Sequence, residues 1–191
     1  MQQDDDHLIE RTVRSEELFK GRLLHAYRDT VRLPDGVEAT REYVVHPGAV
    51  AMVPLLGDGR IVLERQYRHP MGRVMTEIPA GKLEPGEDPL ACAKRELLEE
   101  TGYTAREWAR AGVLHPIVSY STEFIEIWFA RNLTLQERRL DDEEFLEVFT
   151  ATPAELIEAC REGRITDAKT MVAAFWLQNV LSGSWNLDWR P

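Results

Sequence analysis

The sequence predicts an α/β protein in which helices pack on a mixed β-sheet, preceded by an antiparallel β unit. Three observations carry that reading. Apolar runs of strand length alternate with turn signals through the first half of the chain. One well-capped helix pattern, 89–101, interrupts the strands, and two more follow residue 152. Hairpins mixed with a central helix and late helices require a layered arrangement in which each element buries one face. At 191 residues the chain suits one main domain with an appendage. His46-Pro47-Gly48 marks the boundary, dividing a β unit at 1–46 from a main domain at 47–191.

The elements follow in order. Residues 1–20 are polar and are expected to be partly irregular. From 22 to 45, two β-like runs flank Pro34-Asp35-Gly36, a strong turn signal. A second hairpin is expected from AVAMVPLL, the turn Gly57-Asp58-Gly59 and RIVLERQYR. That turn is no phosphate loop, because it lacks the GxGxxG spacing and a following helix. Residues 74–78 lead into Pro79-Ala80-Gly81. Strands are expected at 111–114 and 124–129, joined by the loop HPIVSYSTE, and Val148 with its neighbours closes the sheet region. Thr152-Pro153-Ala154-Glu155 is a capping box that opens a helix to about Arg161, with Gly163 ending it. A last helix starts near Thr166 or Asp167 and places Met171, Ala174, Phe175 and Leu177 on an apolar side, read as core and not as a cofactor box.

Composition excludes several classes. A formal charge of −10 argues against nucleic-acid binding through a basic surface. No apolar run reaches the roughly 18 residues of a membrane span, and the acidic start MQQDDDHLIER is unlike a signal peptide. Cys92 and Cys160 stand far apart without a CxxC partner; they read as reduced, structural thiols and imply a cytoplasmic protein. The five histidines show no HxxxH spacing, which leaves a zinc site without support.

The chemistry concentrates between Gly81 and Tyr103. Glu96, Glu99 and Glu100 fall at i, i+3 and i+4, so their carboxylates share one helix face. Like charges at that spacing destabilise an isolated helix by roughly 0.2–0.5 kcal/mol per pair, so something positive is expected among them. Asp88 is placed to cap the helix, Pro89 fits its first turn, and Gly102 fits the C′ position that takes positive φ. Leu90, Ala93, Leu97 and Thr101 form the less polar stripe that faces a core. Hard carboxylate oxygens suit Mg²⁺ or Mn²⁺.

The window fits the pattern G-x5-E-x7-R-E-U-x-E-E-x-G-U, with U a bulky apolar residue, at Gly81, Glu87, Arg95, Glu96, Leu97, Glu99, Glu100, Gly102 and Tyr103. This resembles the Nudix hydrolase box, which binds divalent metal and cleaves diphosphates linked to another group. The resemblance implies an α/β/α sandwich for 47–191. It also implies that Glu96, Glu100 and the Ala80 carbonyl hold metal, and that Glu99 is a further ligand or orients the attacking water. Arg95 and Glu87 would hold loop and helix together, with Gly81 and Gly102 as structural glycines.

The segments RQYRHP and TEIPAGKLEPGE, the N-terminal β unit and the late DAKT resemble the ADP-ribose pyrophosphatases and related nucleotide-sugar hydrolases. In that group Arg68 and Arg65 would meet the diphosphate, whose oxygens suit arginine's fork. Arg41 and Glu77 are candidates for the nucleoside end. The run Asp141-Asp142-Glu143-Glu144 would supply Asp142 or Glu143 as general base and Glu144 beside the metal, with Glu123 a rival base. The relatives are homodimers whose N-terminal units exchange, which would give residues 1–46 a part in both dimer and substrate pocket. Pro116 falls thirteen residues after Tyr103, closer to the box than the family's usual proline. That shortening keeps other substrates in view: GDP-mannose, another nucleotide sugar, or a dinucleoside polyphosphate. A non-catalytic, ADP-ribose-sensing Nudix-like module is the reading from another class; such modules tend to lose box acids, and this chain keeps them.

Overall fold

The computed structural model describes residues 5–138, 140 and 145–191. It divides into two compact units. The first comprises Met1–Pro47 with Ile117–Glu123. It holds an antiparallel sheet of β1 (Arg11–Lys20), β2 (His25–Arg32) and β3 (Glu38–Val45). The turn expected between β2 and β3 is there, with Gly36 N–H donating to Leu33 O at 2.9 Å. The segment 117–123, expected as a plain connection, pairs with β3 instead: Val44 N–H donates to Tyr120 O at 2.9 Å and Thr122 N–H to Val44 O at 3.0 Å. It satisfies backbone groups that the open edge of β3 would otherwise expose.

Within residues 1–20, expected to be partly irregular, the stretch from Arg11 to Lys20 is the strand β1. All ten of its residues are exposed, and its register with β2 shifts between Thr12 and Arg14 and again between Glu17 and Phe19. A strand with no buried face and two irregularities carries no period-two signal.

The second unit, Gly48–Pro116 with Phe124–Pro191, contains the remaining elements. These are β4 (Ala49–Pro54), β5 (Ile61–Arg68), β6 (Arg73–Glu77), β7 (Ala80–Lys82), α1 (Pro89–Thr101), β8 (Tyr103–Leu114), β9 (Ile125–Leu135), β10 (Leu146–Ala151), α2 (Pro153–Arg161) and α3 (Ala168–Leu181). Two sheets form, in the orders β7-β4-β9-β8 and β10-β5-β6. The first is mixed, since β4 runs parallel to β9 and antiparallel to β7.

Alternation along β4 and β9 explains the layers. Val50 and Met52 join Trp128 and Ala130 in a core with Cys92, Ala93 and Leu97 of α1. Ala51 and Val53 join Ile127 and Phe129 in the opposite core, with β5, α2 and α3. Successive side chains of a strand point to opposite faces, so a sheet buried on both sides reads as continuous apolar sequence. The result is the expected α/β/α sandwich with a mixed sheet.

That continuity also explains why the second expected hairpin is corrected. The turn exists, with Leu56 N–H on Arg60 O at 2.8 Å and a bridge from Leu55 to Ile61. Beyond it β4 and β5 part into different sheets, because each needs apolar neighbours on both edges and faces. The helix after residue 101 gives way at once to β8, so that strand begins at Tyr103, well before the expected 111. The outer edge of β8 is covered where Trp108 and Arg190 exchange backbone hydrogen bonds at 2.7 and 2.9 Å.

Both late helices start at their expected caps: the Thr152–Glu155 box is reciprocal, and Asp167 accepts from Thr170 N–H. One detail of α3 is corrected. Ala174 and Leu177 are buried, but Met171 and Phe175 are exposed at 44% and 56%. The inward side instead carries Ala173, Lys169 and Thr170, because its first turn is committed to a polar network. Leu97, fully buried between α1 and the sheet, tests the packing. Leu97→Ala should cost about 3 kcal/mol, read as a lower urea midpoint at unchanged m-value.

Candidate active site

The acidic helix is clamped at both ends. Asp88 Oδ1 accepts from Leu90 N–H and Ala91 N–H, each at 3.0 Å. Gly102 takes φ +75° and returns its N–H to Leu98 O at 2.9 Å. The helix therefore leaves β7 and enters β8 with its rotation about its own axis set.

That rotation presses the carboxylates against the loop before it. A Cβ at Gly81 would lie 1.8 Å from the carboxyl carbon of Glu96, so only glycine permits this approach. Glu100, 3% exposed, accepts Ala80 N–H at 3.0 Å. The backbone of β7 and two of the box acids thus stand in direct contact. The expected role of Ala80 concerned its carbonyl; its N–H is the group engaged with Glu100 here.

Arg95 is the positive charge that the acid spacing demanded. Its Nε and Nη2 grip Glu87 at 2.9 and 3.0 Å, while Nη1 donates to Glu96 at 2.7 Å and Glu99 at 2.9 Å. Glu87 also accepts Glu84 N–H at 3.0 Å, tying the loop to the same fork. The guanidinium holds the Glu87 carboxyl down to about 2. Its carboxylate neighbours, Glu87 foremost, raise Arg95 in turn. Burial, then Glu87, pushes the Cys92 thiol up to about 12. It stays a thiol and supplies no nucleophile, as expected for a structural cysteine.

A second charged cluster lies at the ends of β5 and β6. Arg68 Nε and Nη2 donate to the two oxygens of Glu77 at 2.8 and 2.9 Å, a bidentate pair. Glu77 is 2% exposed and also receives Lys169 Nζ. Burial opposes its charge, yet Arg68 and Lys169 outweigh that penalty and hold its carboxyl below the usual range. Lys169 escaped the sequence reading, since nothing in DAKT by itself marks the lysine as inward. Glu64 escaped it too: it is fully buried on β5, directly opposite Glu77. Its only signal was a charge ending the apolar run IVL.

The remaining candidates among the described residues have partners of their own. Arg65 pairs with Glu147 of β10 at 3.1 Å. In the first unit Arg41 pairs with Glu10, and Glu123 lies 3.9 Å from His46. Asp142, Glu143 and Glu144 lie outside the described residues. Among the described residues no three His, Cys, Asp or Glu side chains gather tightly enough to form a ready metal cage. Glu96, Glu99 and Glu100 nonetheless offer hard oxygens on successive turns beside backbone, a donor set that fits a divalent ion keeping part of its water.

A capped helix presenting paired carboxylates to a glycine loop, on a mixed sheet covered on both faces, defines the class of Nudix domains. Residues 45–174 match the Nudix domain family, and residues 10–44 match the nucleoside diphosphate sugar hydrolase N-terminal domain. The chain belongs to the Nudix family. It is 39% identical over 173 residues to the ADP-ribose pyrophosphatase of Bacillus subtilis strain 168, covering 90% of this chain and 94% of that one. It is 40% identical over 173 residues to the methanol dehydrogenase activator of Bacillus methanolicus, covering 88% and 92%. A crystal structure of an ADP compounds hydrolase shares the fold, with TM-score 0.82 at 24% identity over 92% of this chain and 95% of that one.

Two outcomes follow from this geometry. Gly81→Ala should displace Glu96 and reduce hydrolysis by at least about tenfold, while the fold persists by circular dichroism. The Arg95 pair should also set acid stability. Glu87 titrates near 2 when folded against about 4.5 otherwise, so its contribution is full above about pH 4.5 and is lost as pH falls toward 2. Wild type minus Glu87→Gln in urea melts should therefore shrink across that window; a constant difference would refute the linkage.

Proposed function

We propose that this chain hydrolyses the diphosphate of nucleoside diphosphate-linked compounds, with ADP-ribose, giving AMP and ribose 5-phosphate, the foremost substrate. The observation that carries the reaction class is the contact of Glu96 with Gly81 and of Glu100 with Ala80 N–H, which sets two box acids against the backbone of β7. The consecutive matches at 10–44 and 45–174 support the substrate class, because the first is named for nucleoside diphosphate sugars. The likeness to an ADP-ribose pyrophosphatase over nearly the full length of both chains supports ADP-ribose in particular.

In this reading Glu96, Glu100 and the Ala80 carbonyl hold a divalent cation, Mg²⁺ first and Mn²⁺ as a substitute. Such an ion neutralises phosphoryl oxygens and lowers the pKa of bound water. Glu99 orients the attacking water. Arg95 Nη1 already bonds Glu96 and Glu99, so cation binding competes with that half of its fork and leaves the Glu87 half in place. Arg68, through the N–H groups Glu77 does not use, and Arg65 contact the diphosphate, and Arg41 and Glu77 serve the nucleoside end. The general base comes from Asp142 or Glu143, with Glu144 near the metal, or else from Glu123.

Residues 1–46 contribute to the pocket and to a homodimer. Supporting this, β1 exposes Val13, Leu18 and Phe19 on a strand with no buried residue, and a sheet of that size is marginal without further packing. GDP-mannose and other nucleotide sugars remain the second reading, favoured by the early Pro116 and by 32% identity over 129 residues to the GDP-mannose pyrophosphatase of Cronobacter sakazakii.

A substrate panel with Mg²⁺, resolved by chromatography, checks the proposal. ADP-ribose should yield AMP and ribose 5-phosphate, and Glu100→Gln should lower kcat by at least about a hundredfold. Turnover of no nucleoside diphosphate derivative would overturn the enzyme reading. A fully active Glu100→Gln would overturn the metal assignment.

A further inference from the structure

Three segments of the main unit meet through one buried carboxylate. Glu77, closing β6, accepts from Arg68 at the end of β5 and from Lys169 in the first turn of α3. Lys169 Nζ also donates to Asp167 at 3.1 Å. Asp167, the N-cap of α3, accepts from Thr170 N–H at 3.0 Å and Thr170 Oγ1 at 2.6 Å. Thr170 Oγ1 then accepts Ile78 N–H at 3.0 Å. The start of α3 therefore grips residues 77 and 78 by side chain and backbone, two positions before Ala80.

The charges around Arg68 are unbalanced without Lys169. Glu77 and Asp167 supply two acids; Arg68 and Lys169 supply two cations. Both Glu77 and Lys169 are more than nine-tenths buried, so water screens these charges little. A guanidinium facing such acids alone would present little net charge to an anion. A second cation on Glu77 restores it. Arg68 has five N–H bonds, of which Glu77 takes two, and its side chain is 38% exposed, so three donors stay available. A compact ammonium with three N–H groups suits the site between Glu77 and Asp167.

We propose that Lys169 is a positioning residue for substrate binding: by sharing Glu77 with Arg68, it holds the arginine fork in place and leaves its charge available for the diphosphate. This rests on the assignment of Arg68 to the diphosphate under Proposed function. Lys169 touches no reacting atom, so its removal acts on binding more than on chemistry.

Steady-state hydrolysis of ADP-ribose with Mg²⁺, by wild type, Lys169→Met, Lys169→Arg and Asp167→Asn, tests it. Lys169→Met should raise KM by about tenfold with kcat within about threefold. Lys169→Arg should recover most of that loss. Asp167→Asn keeps an N-cap while removing an acid that competes for Lys169, so its KM should equal or fall below wild type. Circular dichroism and melting curves establish which variants fold; if Lys169→Met does not, Lys169→Arg and Asp167→Asn decide. A folded Lys169→Met with unchanged KM, a loss confined to kcat, or a raised KM in Asp167→Asn would overturn the inference while wild type stays active. A wild type inert toward ADP-ribose would overturn the functional reading, and this inference with it.

Discussion

The Arg95 guanidinium is what lets three carboxylates stand on one side of α1. Glu96, Glu99 and Glu100 repel one another along the helix, and the Nη1 group answers two of them while Nε and Nη2 hold Glu87 on the preceding loop. One side chain therefore both offsets the repulsion and fixes the loop to the helix. The close approach of Glu96 to Gly81 and the bond from Ala80 N–H to Glu100 depend on that docking. Charge-assisted, forked hydrogen bonds are directional, so they set distance and angle together.

The sheet carries this arrangement. β4 and β9 bury both faces, one against α1 and the other against α2, α3 and the β10-β5-β6 sheet. β7, which holds Ala80 and Gly81, is an edge strand of the central sheet, where backbone can meet a helix side chain without breaking a ladder on both sides. The Arg68–Glu77–Lys169 cluster reaches the same stretch from the other direction, through Ile78 N–H on Thr170. Residues 77–81 are thus held from α3 at one end and from α1 at the other. A segment held at both ends loses little further freedom when substrate binds, which favours affinity.

Each unit shows a different balance of burial. In the main unit the apolar clusters are extensive. In the N-terminal unit Val31 and Asp29 are its buried residues among those described, and β1 has none. Such a sheet gains little from its own core, and further apolar cover is the expected remedy.

Local rules made much of the protein legible from sequence. The α1 limits, its caps and its acidic face follow from Asp88, Pro89 and Gly102 and from the i, i+3, i+4 spacing, all contacts within one turn. The α2 capping box and the Pro34-Asp35-Gly36 turn belong to the same kind. Tertiary structure decided the rest. Whether β4 and β5 pair could not be read from two apolar runs, because a strand buried on both faces carries no sign of its neighbours. Met171 and Phe175 turned outward because the first turn of α3 was taken by Lys169 and Thr170. Lys169 entered a buried charge cluster through Glu77, over ninety positions away, and Glu64 was buried opposite that same residue. Spacing along the chain determines what neighbours one turn apart can do; only packing determines which distant charges must share the same low-dielectric space.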